Sequence, residues 1–227
     1  MTHPLDNPAH AALTGPQAGF AERRGQALRY PTDVAPFTAV PVGAAAAAWD
    51  DVAALAGPGQ RLFLPADSTP PPSDWEEWLR VECVQLTGEA VEGRPDPEAV
   101  LLTADDVPEI LDLVARTKPG PFLARTVELG RYLGLRREGA LVAMAGERIR
   151  PPGWTEVSAV CTDPAFRGQG LAARLVLAVC AGVTARGEQP FLHAASDNTG
   201  AVRLYESLGF RTRRKVSFVG VRVPEGS

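Results

Sequence analysis

The stretch Val160-Cys161-Thr162-Asp163-Pro164-Ala165-Phe166-Arg167-Gly168-Gln169-Gly170-Leu171-Ala172 decides the fold. Before it runs a strand-like segment, Thr155–Thr162. After it the apolar positions Leu171, Leu175, Val179 and Val183, with Ala172 and Val176 alongside, predict a helix reaching about Arg186. A strand, a tight turn and a long helix with one apolar face make an α/β unit packed on a sheet. The turn also has a chemical meaning. A helix N-terminus leaves backbone N–H groups unpaired and carries a partial positive charge, so it holds phosphate. Gly168 and Gly170 let the backbone approach an anion closely, and Arg167 adds a permanent cation.

Downstream, Pro190–Ala195 reads as a strand and Asn198–Leu208 as a helix closed by Gly209. Arg211–Arg213 and Val216–Arg222 read as final strands. Upstream, Val100–Leu102 is a strand, and Thr103-Ala104-Asp105-Asp106 caps a helix carrying Val107, Ile110, Leu111 and Val114. A second short helix is expected over Ala124–Tyr132. A hairpin is expected from Gly139–Ala145, turning at Gly146-Glu147 into Arg148–Arg150.

The N-terminal part reads as strand Ala35–Val42, helix Ala44–Leu55, strand Arg61–Leu64, helix Asp74–Arg80 and strand Val81–Thr87. Ser73 with Glu76 has capping-box spacing, and Trp75 and Trp78 would be core anchors of that helix. Pro/Gly-rich punctuation falls at Asp67–Ser73 and Glu92–Pro97. We place the domain boundary at the second, giving an N-terminal α/β region, residues 1–97, and a C-terminal domain, residues 98–227. The order strand, helix, strand, helix, strand suggests that the first region is a degenerate half of the same fold. It would pack beside the second or be donated to a partner subunit, making a homodimer.

The 227 residues carry 23 Lys+Arg against 27 Asp+Glu, a net charge of -4, which argues against nucleic-acid and anionic-membrane partners. No apolar run is long enough to span a bilayer, and MTHPLDNPAH has no export-signal character, so a cytoplasmic location is expected. Cys83, Cys161 and Cys180 are scattered, with no CxxC pair, which fits small apolar thiols in a reducing compartment; no metal site is expected.

A second motif lies some forty residues beyond the first: Asn198-Thr199-Gly200-Ala201-Val202-Arg203-Leu204-Tyr205-Glu206-Ser207-Leu208-Gly209-Phe210. Together, V-x-P-x-x-R-G-x-G and N-x-x-A-x-x-L-Y-x-x-L-G-F resemble the GNAT superfamily of acyl-CoA-dependent N-acyltransferases, from about Ala99 onward. The resemblance implies a central mixed β-sheet flanked by helices, acetyl-CoA as cosubstrate and a small-molecule primary amine as acceptor. Within the superfamily the chain looks similar to the glycine N-acyltransferase-like branch. A non-catalytic acyl-CoA sensor and a protein lysine or N-terminal acetyltransferase are the alternatives.

The resemblance also implies roles. Arg167, Gly168, Gln169, Gly170, Leu171 and Ala172 would hold the CoA pyrophosphate, and Val160, Cys161 and Thr162 the pantetheine arm. That strand would carry a bulge and splay from Phe191–Ala195. Asn198 would contact the cofactor arm, and Tyr205 would face the sulfur as general acid. For the base, Glu156 shares a face with Ser158 and Val160 by strand alternation, and partial burial would raise its pKa. His193 is the rival base. The same alternation puts Cys161 on the opposite face, as a buried structural thiol.

Overall fold

The computed structural model describes residues 3–66 and 70–225, so the start of the Asp67–Ser73 stretch lies outside the described residues. Among the described residues eleven strands are formed: β1 (Glu22–Arg24), β2 (Ala27–Arg29), β3 (Thr38–Ala39), β4 (Arg61–Pro65), β5 (Glu76–Thr87), β6 (Val100–Leu102), β7 (Tyr132–Arg137), β8 (Ala140–Glu147), β9 (Trp154–Thr162), β10 (Gln189–Ala195) and β11 (Arg211–Arg222). The helices are α1 (Pro8–Leu13), α2 (Ala48–Ala56), α3 (Val107–Thr117), α4 (Leu171–Ala185) and α5 (Thr199–Ser207). Strands β1, β2 and β3 form a small sheet. The other eight form a mixed sheet of order β4-β11-β5-β10-β9-β8-β7-β6, in which β9 and β10 run parallel and the other neighbours antiparallel.

Helix α4 covers one face of this sheet. Leu171, Leu175, Val176, Val179 and Val183 are buried against Leu135, Ala143, Ala145 and Val157, the stripe expected from the sequence. On the other face Ile110 and Leu113 of α3 pack with Leu102, Tyr132, Met144 and Cys161. Two helices on opposite faces leave little of the central strands in water, which is why β8 is buried along nearly its whole length.

Three local expectations are corrected. Asp74–Arg80 is not a helix: β5 starts at Glu76 and pairs with β11 from Glu76↔Arg222 to Thr87↔Arg211, so ladder pairing overrides the capping-box signal. Trp75 is buried against Trp49, but Trp78 is 38 % exposed. Ala124–Tyr132 contains only a short 3₁₀ turn, Thr126–Leu129, and Tyr132 begins β7. Gly134, easily read as a helix stop, lies inside that strand, where a Cβ would come within 2.5 Å of Leu141. The hairpin partner of β8 is therefore β7, turning at Glu138-Gly139, and Gly146-Glu147 continues the strand.

Residues 1–97 do not form a neighbour to the larger sheet: they build part of it. Strand β5 inserts between β10 and β11, and β4 closes the edge beyond β11. The Glu92–Pro97 segment is strapped onto α4. Arg94 N–H donates to Leu177 O (3.0 Å), and a Cβ on Gly93 would stand 2.4 Å from Ala181 N. Only glycine allows so close an approach of two backbones. Residues 98–227 expressed alone should therefore give no cooperative unfolding transition, because β10 and β11 lose the strand between them. A sharp thermal transition for that fragment would show that the C-terminal region folds unaided.

Candidate functional site

The parallel pairing of β9 with β10 lasts three residues, Trp154↔Gln189, Thr155↔Pro190 and Glu156↔Phe191. Beyond Phe191, β10 continues along β5 through Ala195↔Cys83 instead. The two strands thus splay after Glu156, opening a cleft between Val157–Thr162 and Leu192–Ala195. In the same place β9 bulges. Gly146 opposes Ser158 and Met144 opposes Cys161, which leaves Ala159 and Val160 opposite Ala145 alone. Ala159 takes φ 53°, the left-handed conformation of a bulge residue. The bulge reverses the alternation expected from the sequence. Val160 packs with Val157 toward α4, and Ala159 and Cys161 join the cluster under α3, so Cys161 is not opposite Glu156 in the way the simple period predicts.

At the end of β9, Asp163 caps a 3₁₀ turn, Pro164–Phe166, through Ala165 N (2.9 Å), and Arg167 leads into α4. Gly168 and Gly170 take φ 78° and 73° with open space where a Cβ would point, and Gly170 is the N-cap of α4 with no side-chain cap bond. The first turn of the helix thus presents N–H groups to an open, exposed loop, an anion cradle. Thr162 Oγ1, on the adjoining strand end, is buried without a hydrogen-bond partner among the described residues. Asn198 caps α5 through Ala201 N (3.1 Å). Tyr205 is buried against Phe210, and burial pushes its hydroxyl up to about 12. The loop, the β9 end, Asn198 and Tyr205 all line one cavity of about 1240 Å³. That volume exceeds the usual small-ligand pocket, which leaves room for two reactants.

The residues expected to act as base are arranged otherwise. Glu156 is 1 % exposed and lies behind the cavity wall. Arg148 Nε and Nη2 donate to its two oxygens at 2.9 Å each, and His193 Nδ1 is 2.8 Å from Oε1. Burial alone would raise this carboxyl. The guanidinium and the histidine bond outweigh it and hold the pKa down at about 2, the reverse of the expected rise. Gln85, from the inserted strand β5, completes the network. Arg213 Nη1 donates to Gln85 Oε1 (2.8 Å), which turns Gln85 Nε2 toward Leu5 O (2.9 Å) and His193 Nε2 (3.1 Å). An arginine can only donate, so the amide orientation is fixed and His193 Nε2 accepts. The proton is then on Nδ1, directed at Glu156. Both ring nitrogens are engaged. No sequence signal pointed to Arg148, Gln85 or Arg213, because they lie on the segment after β8, on β5 and on β11, which only the topology brings together.

The far end of the cavity is lined by Tyr30, Phe37, Phe63 and Trp78 of the N-terminal region and by Phe218. Phe63 and Phe218 stack at 5.5 Å, and Arg148 lies over the Phe37 ring at 4.8 Å.

Comparison with known proteins agrees with this geometry. The family model of FR47-like protein matches residues 132–219. A crystal structure assigned as an acetyltransferase of the GNAT family from Novosphingobium aromaticivorans is 41 % identical, covers 97 % of this chain and 98 % of its own, and superposes with a TM-score of 0.89. The N-alpha-acetyltransferase RimI of Mycobacterium tuberculosis is 39 % identical over 83 residues, 35 % of this chain and 51 % of that protein. The mycothiol acetyltransferase of Thermobispora bispora is 52 % identical over 56 residues, 24 % of this chain and 19 % of that protein. The chain thus spans about half or less of the length of the curated relatives it matches. It belongs to the GNAT family of acetyltransferases. Among the described residues, no helix is long and apolar enough to cross a membrane.

The buried pair makes a stability prediction. Glu156→Gln should destabilise the fold by roughly 3–5 kcal/mol at neutral pH, because Arg148 loses its counter-charge. A carboxylate with its folded pKa near 2 and an unfolded value near 4.5 contributes fully above pH 4.5 and loses that contribution as the pH falls toward 2. Urea unfolding at pH 7, 4 and 3 should show the gap between wild type and variant narrowing on acidification; a gap independent of pH would contradict the assignment.

Proposed function

We propose that the protein transfers an acetyl group from acetyl-CoA to a primary amine by direct attack of the amine on the thioester. The observation that carries this reading is the single cavity that joins an uncapped, glycine-flanked helix N-terminus to the splayed, bulged β9 and to Tyr205. In it, Arg167 and the amides of Gly168–Ala172 hold the pyrophosphate. The β9 edge over Val160, Cys161 and Thr162 pairs with the pantetheine amides as an added strand would, and Thr162 Oγ1 and Asn198 contribute further hydrogen bonds. The thioester supplies an activated acyl group, so no covalent enzyme intermediate is required; much of the rate comes from holding amine and carbonyl together.

Near the bulge, the N–H of Val160 donates to the carbonyl oxygen as negative charge develops there. The carbon–nitrogen bond forms and the carbon–sulfur bond breaks with its electron pair on sulfur; Tyr205 donates a hydrogen bond to that sulfur, and the proton lost by the attacking nitrogen passes to solvent. Burial pushes the Tyr205 hydroxyl up to about 12, above the range of an alkyl thiol, so complete proton transfer to the departing thiolate is uphill. Tyr205 therefore acts in this reading as a stabilising donor rather than a full general acid. Glu156, ionised and held twice by Arg148, orients the network instead of taking the amine proton. The aromatic wall donated by the N-terminal region favours a small acceptor over the surface of a folded protein.

Calorimetry should detect acetyl-CoA binding by the wild type and its loss in Arg167→Glu combined with Gly168→Asp. Tyr205→Phe should cut kcat by about ten- to a hundredfold in a thiol-release assay while leaving acetyl-CoA affinity nearly unchanged. Binding without release on any amine would favour a sensor. The pH profile supplies a further test. With no tuned base, kcat/KM should rise with pH until the acceptor amine itself is deprotonated and then level off. A plateau beginning at the same pH for amines of different basicity would reveal a base on the protein.

A further inference from the structure

Among the described residues, the wall of the cavity contains Arg29, Arg61, Lys118, Arg148 and Arg167 and not one aspartate or glutamate, in a chain whose acidic residues outnumber its basic ones. Part of this asymmetry serves the phosphates of the cosubstrate: Arg167 opens the anion loop. Arg148 is neutralised by Glu156, and Arg29 by Glu22 (2.7 Å). Lys118 follows Thr117, whose side chain hydrogen-bonds Cys161, so it belongs to the β9 end of the cleft. Arg61 is different. It lies on β4, at the opposite end, and among the described residues neither a hydrogen bond nor an ion pair holds its guanidinium. Its guanidinium rests over the Trp78 ring at 5.0 Å, and Trp78 in turn packs where Gly220 leaves no Cβ in its way.

Between Arg61 and the fork of β9 and β10 runs one face of the sheet, carrying Phe63, Phe218 and Val81. Strands β11, β5 and β10 separate β4 from β9, so at about 4.8 Å per strand the two ends lie roughly 15–20 Å apart. Inward-reaching side chains shorten that span.

We infer that the acceptor is an elongated amine with an apolar or aromatic body and a carboxylate remote from the amine, and that Arg61 binds that carboxylate. This rests on the acetyl-transfer reading and names its substrate class. A guanidinium stacked on an indole keeps its planar fork directed along the ring, ready for a carboxylate edge, with little entropy left to lose. The rings of Phe63 and Phe218 desolvate the body of the acceptor. The same wall disfavours cationic acceptors: at its far end a polyamine would meet the Arg61 guanidinium, and no carboxylate among the described lining residues would receive its charges.

The experiment is a calorimetric titration of wild type, Arg61→Gln and Arg61→Lys with aromatic di- and tripeptides as free acids, with their C-terminal amides, and with spermidine. Acetyl-CoA affinity and melting temperature are recorded on the same samples. We expect free acids to bind the wild type at least tenfold more tightly than their amides, and Arg61→Gln to abolish that preference with melting temperature and acetyl-CoA affinity unchanged. Arg61→Lys should restore it in part. Equal binding of acid and amide, a preference that survives in Arg61→Gln, tighter binding of spermidine or no binding of any probe would overturn the inference. The acetyl-CoA titration fails or succeeds independently, so loss of the substrate class is distinguishable from loss of the acetyl-transfer reading.

Discussion

Strand β10 can satisfy only one neighbour at a time on the side facing β9, and its hydrogen bonds to β9 stop after Phe191. Everything in the site follows from what happens next. Five consecutive residues of β10 are held by β5 on the other side, so the strand remains extended and buried while its β9 edge swings free. A backbone edge released in this way would be costly if it were shut away from both water and partner. Opening into a cleft resolves this, because the edge becomes a docking strip for another chain of amides. The bulge at Ala159 contributes on the opposite bank by taking Ala159 and Val160 out of register with β8.

The same arrangement explains why a carboxylate can be buried so completely under the site. Glu156 lies at the last paired position before the strands part, where Arg148 reaches it from the segment after β8 and His193 from β10. Gln85 and Arg213 extend the chain of bonds across β5 and β11 to Asp6 near the N-terminus. A fully satisfied buried network of this kind specifies one alignment of the strands that contribute to it, whereas an apolar patch would tolerate several. Its members come from six separate stretches of sequence, so the network ties the cleft to the N-terminal segment around Asp6.

How much of this was legible from the sequence varies with the range of the interactions. The loop Arg167–Ala172, the stripe on α4, and Asn198 and Gly209 at the ends of α5 are set by local backbone chemistry, and each has a short-range signature. The splay and the bulge entered only through family resemblance, since no periodicity announces them. Strand β5 was partly missed because Asp74–Arg80 carries a good helix start, and its preference for the sheet comes from β11, far along the chain. The role of Glu156 turned on Arg148 and His193, eight and thirty-seven residues away. Burial alone predicts a raised pKa; burial beside a guanidinium lowers it, and sequence does not say which partner will be present.

The insertion of β5 has a consequence for the order in which the molecule can be made. Its partners on β10 and β11 follow it by more than a hundred residues. During synthesis, β5 leaves the ribosome with both edges open and stays so until nearly the whole chain has emerged. A nascent strand bearing Trp78, Leu79 and Val81 is then a waiting template for any passing edge. The polar first half of β5, Glu76-Glu77 and Arg80 with Glu82, carries the charges that keep such an edge from pairing with the wrong chain in the interval.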